Sequence, residues 1–120
     1  MASAATTRLI ALVGPLAGER HAVHTANHPL RPEQMLPVPD VVLLVSDDSG
    51  SAMVFRYTAH GDFAGDTFHP SVDDAKAETE AEYGEALLPW EPVPDDVGDA
   101  HAFAVRYAHD RLNDRGGGYD

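Results

Sequence analysis

Five consecutive apolar residues, Val41–Val45 (VVLLV), constrain the fold of this chain more than any other stretch. A strand with one face in solvent alternates apolar and polar residues, whereas a strand covered on both faces is apolar throughout. Turn chemistry follows the run directly, at Asp47–Gly50. We therefore predict a central strand that is buried on both faces.

Two hairpin strands are predicted after this run. Ala52–Ala59 alternates partially, so that Met53, Phe55, Tyr57 and Ala59 share one face, and Ala52, Val54, Arg56 and Thr58 share the other. His60 and Gly61 form the expected turn, and Asp62–Phe68 is the returning strand, with Gly65 as a candidate β-bulge.

A first hairpin is predicted before the central strand. Arg8–Val13 is a short apolar stretch, Gly14–Gly18 has turn chemistry, and Arg20–Thr25 is expected to return as a strand. Residues 26–40 contain four prolines and are predicted as a loop or an extended edge, because proline donates no backbone hydrogen bond.

Two helices are predicted in the second half. Ser71 is a good N-cap for a helix that ends near Tyr83, with Gly84 helping to end it. One apolar stripe of this helix comprises Val72, Ala75, Thr79, Tyr83 and Ala86. Leu87–Val93 is expected as an edge strand or extended return. A second helix is predicted over Val97–Leu112, capped by Asp95 or Asp96.

These elements predict an α+β domain: an antiparallel sheet of four to six strands, one helix packed on a face and a second, C-terminal helix. The domain is expected to span residues 8–112, with a flexible N-terminus at 1–7 and a disordered tail at 113–120. Most of the aromatic residues are expected in the core, and the alternative is an exposed aromatic patch ringed by acids. The residues concerned are Phe55, Tyr57, Phe63, Phe68, Tyr83 and Trp90.

The net charge of −12 is concentrated in one block. Residues 62–99 contain twelve acidic side chains and one base, Lys76, whereas the flanking parts are close to neutral. Such a field repels nucleic acid and anionic membranes and attracts basic proteins, although it also serves simply to keep a small protein soluble. No cysteine is present, which excludes thiolate chemistry and suits a reducing compartment such as the cytoplasm.

One His/Asp cluster has the composition of a metal site. His60, Asp66 and His69 offer imidazole and carboxylate ligands within ten residues. Strand alternation, however, puts Asp66 and His69 on opposite faces unless the Gly65 bulge rearranges them. Turn and cap roles are therefore the favoured interpretation. The sequence contains no phosphate-binding loop and no nucleophile elbow.

A pattern over residues 55–94 resembles small stand-alone bacterial proteins of unassigned function. The matching positions are Tyr57, Gly61, Gly65–Thr67, His69, Ser71, Val72, Ala75, Glu82–Gly84, Trp90, Val93 and Pro94. Some similar small acidic α+β proteins are immunity proteins that neutralise basic toxins. The resemblance involves structural residues, so it implies a fold and transfers no catalytic set.

The sequence therefore predicts a non-catalytic module without a cofactor. Its expected binding residues are Asp74, Glu78, Glu82 and Glu85, and its expected partner is a basic protein. We expect no binding to nucleic acid or membrane. The alternatives are a metal-dependent enzyme that uses His60, Asp66 and His69, and a structural or phage-derived assembly protein.

Overall fold

The computed structural model describes residues 7–14 and 38–117, with side chains described as far as Arg111. The predicted return strand Arg20–Thr25 and most of the proline-rich segment lie outside the described residues. The predicted pairing of Arg8–Val13 with that strand in a first hairpin is wrong, because this segment pairs with Val41–Ser46 on one side and with Glu91–Pro92 on the other. The elements are β1 (Arg8–Leu12), β2 (Val41–Ser46), β3 (Ala52–Tyr57), β4 (Phe63–His69), α1 (Val72–Tyr83), a 3-10 turn (Gly84–Ala86), β5 (Glu91–Pro92) and α2 (Ala100–Gly117).

The strands form one antiparallel sheet in the order β4-β3-β2-β1-β5. The α+β prediction is confirmed, with five strands in the described part and two helices. β5 holds only two residues, at the edge beside β1, where Leu9 pairs with Pro92. An edge position suits this segment because its prolines cannot donate to a ladder on both sides.

Strand β2 is buried on both faces, as its apolar run predicts. Val41 and Leu43 belong to a core cluster that includes Ala104 and Ala108 of α2. Val42 and Leu44 belong to a second cluster, which includes residues of α1. The two helices therefore cover opposite faces of the sheet, and β2 lies between two separate cores.

The alternation of β3 follows the predicted parity. Phe55 and Tyr57 pack against the core on the α2 side, whereas Val54 belongs to the core on the α1 side. The predicted bulge in β4 is also confirmed. Phe55 pairs with Asp66 and Tyr57 pairs with Phe63, so the register shifts between them, and Gly65 has a φ of 109°. Only glycine adopts such a φ readily.

Helix α1 begins and ends where its sequence signals predict. The Ser71 hydroxyl accepts a hydrogen bond from the Asp74 backbone N–H at 3.0 Å, and Gly84 ends the helix with a φ of 57°. Ala75, Thr79 and Tyr83 are the buried residues of the predicted stripe. The Thr79 hydroxyl, fully buried, donates to the Ala75 carbonyl at 2.7 Å, so this hydroxyl is paired.

Helix α2 begins later than predicted, and a different residue caps it. Asp99, rather than Asp95 or Asp96, accepts a hydrogen bond from the Ala102 N–H. The Arg8 guanidinium binds the Pro94 and Val97 carbonyls and holds the preceding residues in a turn. Residues 113–117, which we predicted as the start of a disordered tail, belong to this helix. Among the described helices, none is long and apolar enough to cross a membrane.

Replacing Ser71 tests whether its side chain stabilises the start of α1. We expect Ser71→Ala to lower the free energy of unfolding by about 1 kcal/mol, because the Asp74 N–H loses its acceptor. Urea denaturation followed by circular dichroism measures the change. Ser71→Asp is the matched control and should retain most of the stability, since aspartate also caps. Equal losses in both variants would contradict the capping role.

Candidate functional site: an acidic stripe on α1 beside strand β4

Three acidic residues form a line along one side of α1, and a fourth follows just beyond its end. Asp74, Glu78 and Glu82 are four residues apart, which is the spacing of one helical face, Glu85 lies in the 3-10 turn after Gly84, and all four are exposed. We call these four residues the acidic stripe. Glu82 contacts Arg56 of β3 and Glu78 lies near His69 of β4, so the part of the stripe on α1 lies on the side nearest the β4 edge. Glu85 lies next to Ala86, whose carbonyl accepts a hydrogen bond from the Gly14 N–H just after β1.

A different acid lies on the other side of α1. Glu80 accepts a hydrogen bond from the Trp90 indole N–H at 3.1 Å, next to β5 at the opposite end of the sheet. Trp90 is half-buried against the α1-side core. The acids of α1 therefore differ in role: Glu80 anchors a connecting segment, whereas Glu78 and Glu82 lie on the side of β3 and β4.

Arg56 links the acidic stripe to the interior. Its side chain is almost fully buried, and its Nη2 lies 2.7 Å from Glu82 Oε1. Nε donates to the Tyr83 hydroxyl, and Nη1 donates to the Val54 carbonyl and the Thr67 hydroxyl. A buried guanidinium is stable only when it is paired and its donors are satisfied. Burial also raises the pKa of Tyr83 well above its usual range, which keeps the phenol neutral beside this pair.

His69 extends the same network to the β4 edge. Its Nε2 lies 2.7 Å from the Thr67 hydroxyl, and its Nδ1 lies 3.8 Å from Glu78 Oε1. Because Thr67 already accepts from Arg56, its own proton is available to Nε2, which favours the neutral tautomer with Nδ1–H facing Glu78. Burial lowers the pKa of His69, and the nearby Glu78 carboxylate only partly opposes this effect.

The structure separates the three residues proposed as a metal site. Asp66 pairs with Phe55 and follows its face toward α2, whereas His69 lies with Thr67 on the face toward α1. His60 is exposed in the turn between β3 and β4. Within the described ranges no three His, Asp or Glu side chains are grouped closely enough to hold a metal ion. The opposite facing of Asp66 and His69, predicted from strand parity, is confirmed.

Two of the aromatic residues predicted for the core are exposed instead. Phe68 is 65% exposed and Phe63 is 49% exposed. Both lie on β4, at the edge of the sheet, while α2 packs mainly on β1 and β2. Tyr83 is buried as predicted, and Phe55 and Tyr57 pack beside the core. The prediction failed for the β4 pair because the sequence did not specify which strand is the edge.

An apolar groove lies beside Phe68. It has a volume of about 220 Å³ and extends from the end of β2 to the first turn of α2. Its main side chains are Val45, Met53, Phe55, Phe68 and His101. The His101 ring packs edge-on against Phe55, and its Nδ1 lies 2.5 Å from the Tyr57 hydroxyl oxygen. The wall formed by α2 is therefore fixed by specific contacts, whereas Phe68 lines the open side.

Comparisons with known proteins found no relative of this chain. No protein-family model matches the chain, and neither a curated protein nor a solved structure is detectably similar to it.

Removing the carboxylate that pairs with Arg56 tests the buried network. We expect Glu82→Ala to lower the free energy of unfolding by about 1–3 kcal/mol, because a buried guanidinium loses its counter-charge. Glu85→Ala is the control from the same stripe and should change stability by no more than about 0.5 kcal/mol. Chemical denaturation of both variants measures the difference. Similar values for the two variants would show that Arg56 does not depend on Glu82.

His69 predicts a specific pH dependence of stability. The folded protein favours the neutral imidazole, so near pH 6 the unfolded chain, with an ordinary pKa of about 6.5, binds more protons. Stability from this group is fully present above about pH 6.5 and declines as the pH falls toward the lowered folded pKa. His69→Gln should flatten the stability curve between about pH 5 and 7. Denaturation at each pH measures this, with exposed His60→Gln as the control; an unchanged curve for His69→Gln would contradict the assignment.

Proposed function

We propose that this chain is a non-catalytic binding module that docks a basic protein through the acidic stripe. The observation that carries the proposal is the alignment of Asp74, Glu78 and Glu82 on one exposed side of α1, with exposed Glu85 just beyond the end of the helix. Aligned charges of one sign steer an oppositely charged partner and fix its orientation. Most of the chain's net charge lies in the same block of sequence.

The charge balance around Arg56 supports a surface role for the rest of the stripe. Glu82 neutralises the buried guanidinium, whereas Asp74, Glu78 and Glu85 are not needed for that pair. Keeping several like charges along one helix face is unfavourable for stability, since neighbouring carboxylates repel one another. A cationic partner would relieve that repulsion, so the arrangement suits binding.

The most specific form of this proposal is an immunity-type inhibitor. Such a protein would occlude the cationic surface of a basic toxin, and the resemblance over residues 55–94 is to proteins some of which act in this way. The site needs no cofactor for this role, because steered association and steric occlusion are sufficient. We place this activity in the cytoplasm, where a chain without cysteine needs no oxidising environment.

The proposal predicts that charge removal at the stripe is more damaging than the same removal elsewhere. The test variant combines Asp74→Asn, Glu78→Lys and Glu85→Lys; Glu82 is kept because it pairs with Arg56. The control combines Asp95→Asn, Asp96→Lys and Glu91→Lys, which changes the net charge equally. With a 20-residue oligolysine peptide as the probe, we expect the stripe variant to weaken binding about tenfold or more and the control about twofold.

Isothermal titration at two ionic strengths measures both affinities. Equal weakening by the two triple variants would mean that only total charge matters, which would contradict a docking role for the stripe. The same pair of variants can then be tested against any basic protein encoded next to this chain, with toxin inhibition as the readout.

A further inference from the structure

We propose that the partner binds as an extended strand added to the outer edge of β4, with basic and apolar side chains in alternation. This inference rests on the proposed function, because it uses the acidic stripe as one of its two contact surfaces. It adds the binding mode, the second surface and the sequence pattern of the partner.

Strand β4 offers backbone groups for such an addition. It is the last strand of the sheet on its side, and no described strand pairs with its outer edge. A strand paired on one side leaves alternate N–H and C=O groups directed outward, and extended peptides bind to such edges. Asp66–His69 keeps a regular register with Phe55–Ala52, whereas the Gly65 bulge interrupts the strand before it. The pairable stretch is therefore the second half of β4.

The two faces of β4 have different chemistry. On the α2 side, Phe68 is largely exposed and opens into the apolar groove that Met53 and Phe55 also line. On the α1 side, His69 is buried and Glu78, 70% exposed, lies 3.8 Å from it. At Phe68 and His69 the surface therefore changes from apolar on the α2 side to acidic on the α1 side of the strand.

A bound strand would present its side chains to these two faces in turn. Successive side chains of a strand point to opposite faces, and adjacent strands lie about 4.8 Å apart. A lysine or arginine on the α1 side has a stem long enough to reach Glu78 from that position. The next residue would then contact Phe68 and the apolar groove. Asp66 shares the α2 side, so a polar or basic residue is favoured opposite it.

Charge complementarity separates this partner from a second copy of the chain. Antiparallel pairing of two β4 strands across a two-fold axis would place both α1 helices on the same face of the joined sheet, with their acidic stripes side by side. Each copy also carries a net charge of −12. Like charges brought together at an interface are strongly unfavourable, so the edge is protected against self-association and is suited to a basic strand.

The test uses two nine-residue peptides of identical composition, acetylated and amidated, built from valine and lysine. One alternates the two residues, and the other groups them in blocks. We expect the alternating peptide to bind the full chain about tenfold more tightly, because only it satisfies both faces at once. Amide hydrogen exchange should show new protection within Asp66–His69. Nuclear magnetic resonance titration gives both the affinity and the location.

Two variants separate the surfaces. Phe68→Ser should weaken binding of the alternating peptide about tenfold and leave the blocked peptide unchanged. Leu88→Ser is the matched control, since Leu88 is also an exposed apolar residue but lies next to β1, away from β4. Glu78→Gln should weaken both peptides, because both carry lysine.

Each remaining outcome overturns the inference in a recognisable way. Equal binding of the two peptides, with no effect of Phe68→Ser, would reject strand addition while leaving a cationic partner on the acidic stripe intact. Protection of the β4 edge in the free protein would show that the edge is already occupied. If this protection depends on protein concentration, a second copy of the chain covers the edge. If it does not, another segment of the same chain covers it. If, in addition, the stripe variant weakened oligolysine binding no more than its control did, the proposed function itself would be rejected.

Discussion

The burial of β2 on both faces is the constraint on which the rest of the structure depends. Val41, Val42, Leu43 and Leu44 have no exposed surface, so the sheet must be covered on each side. Removing that much apolar surface from water favours any arrangement that supplies two covers. The chain supplies α1 for one face and α2 for the other. The neighbours of β2 then occupy the sheet interior, which leaves β4 and β5 as the described edges.

As a result, the β3–β4 hairpin has a buried polar network on its α1 side and an exposed apolar side chain on its α2 side. On the α1 side, Arg56 is buried among Glu82, Tyr83 and Thr67. On the α2 side, the helix covers β1 and β2 but leaves Phe68 open. Both consequences follow from the positions of the helices. α1 packs on β2, β3 and β4, and its Glu82 carboxylate compensates a buried cation, whereas α2 packs mainly on β1 and β2.

The proposed binding surface arises from the same geometry. An acidic helix alone would be an ordinary solvated surface, since charged helix faces generally keep small proteins soluble. Here the acidic stripe lies near a strand edge that no described strand covers, and an apolar groove lies on the other face of that strand. The combination of directional backbone groups, charge and an apolar contact distinguishes the β4 edge from the rest of the acidic surface.

The sequence by itself determined the local elements, because their causes are local. The doubly buried strand, the Gly65 bulge, the Ser71 cap and the end of α1 at Gly84 follow from hydrophobic period, glycine conformation and capping chemistry. Strand parity also separated Asp66 from His69. The tertiary structure alone decided which strands lie at the edges, since strand order depends on contacts between distant residues. The Asp99 cap of α2 is also a local contact, which was predicted for Asp95 or Asp96 instead. Contacts between distant residues decided that Phe68 is exposed and that Arg56 pairs with Glu82 twenty-six residues away.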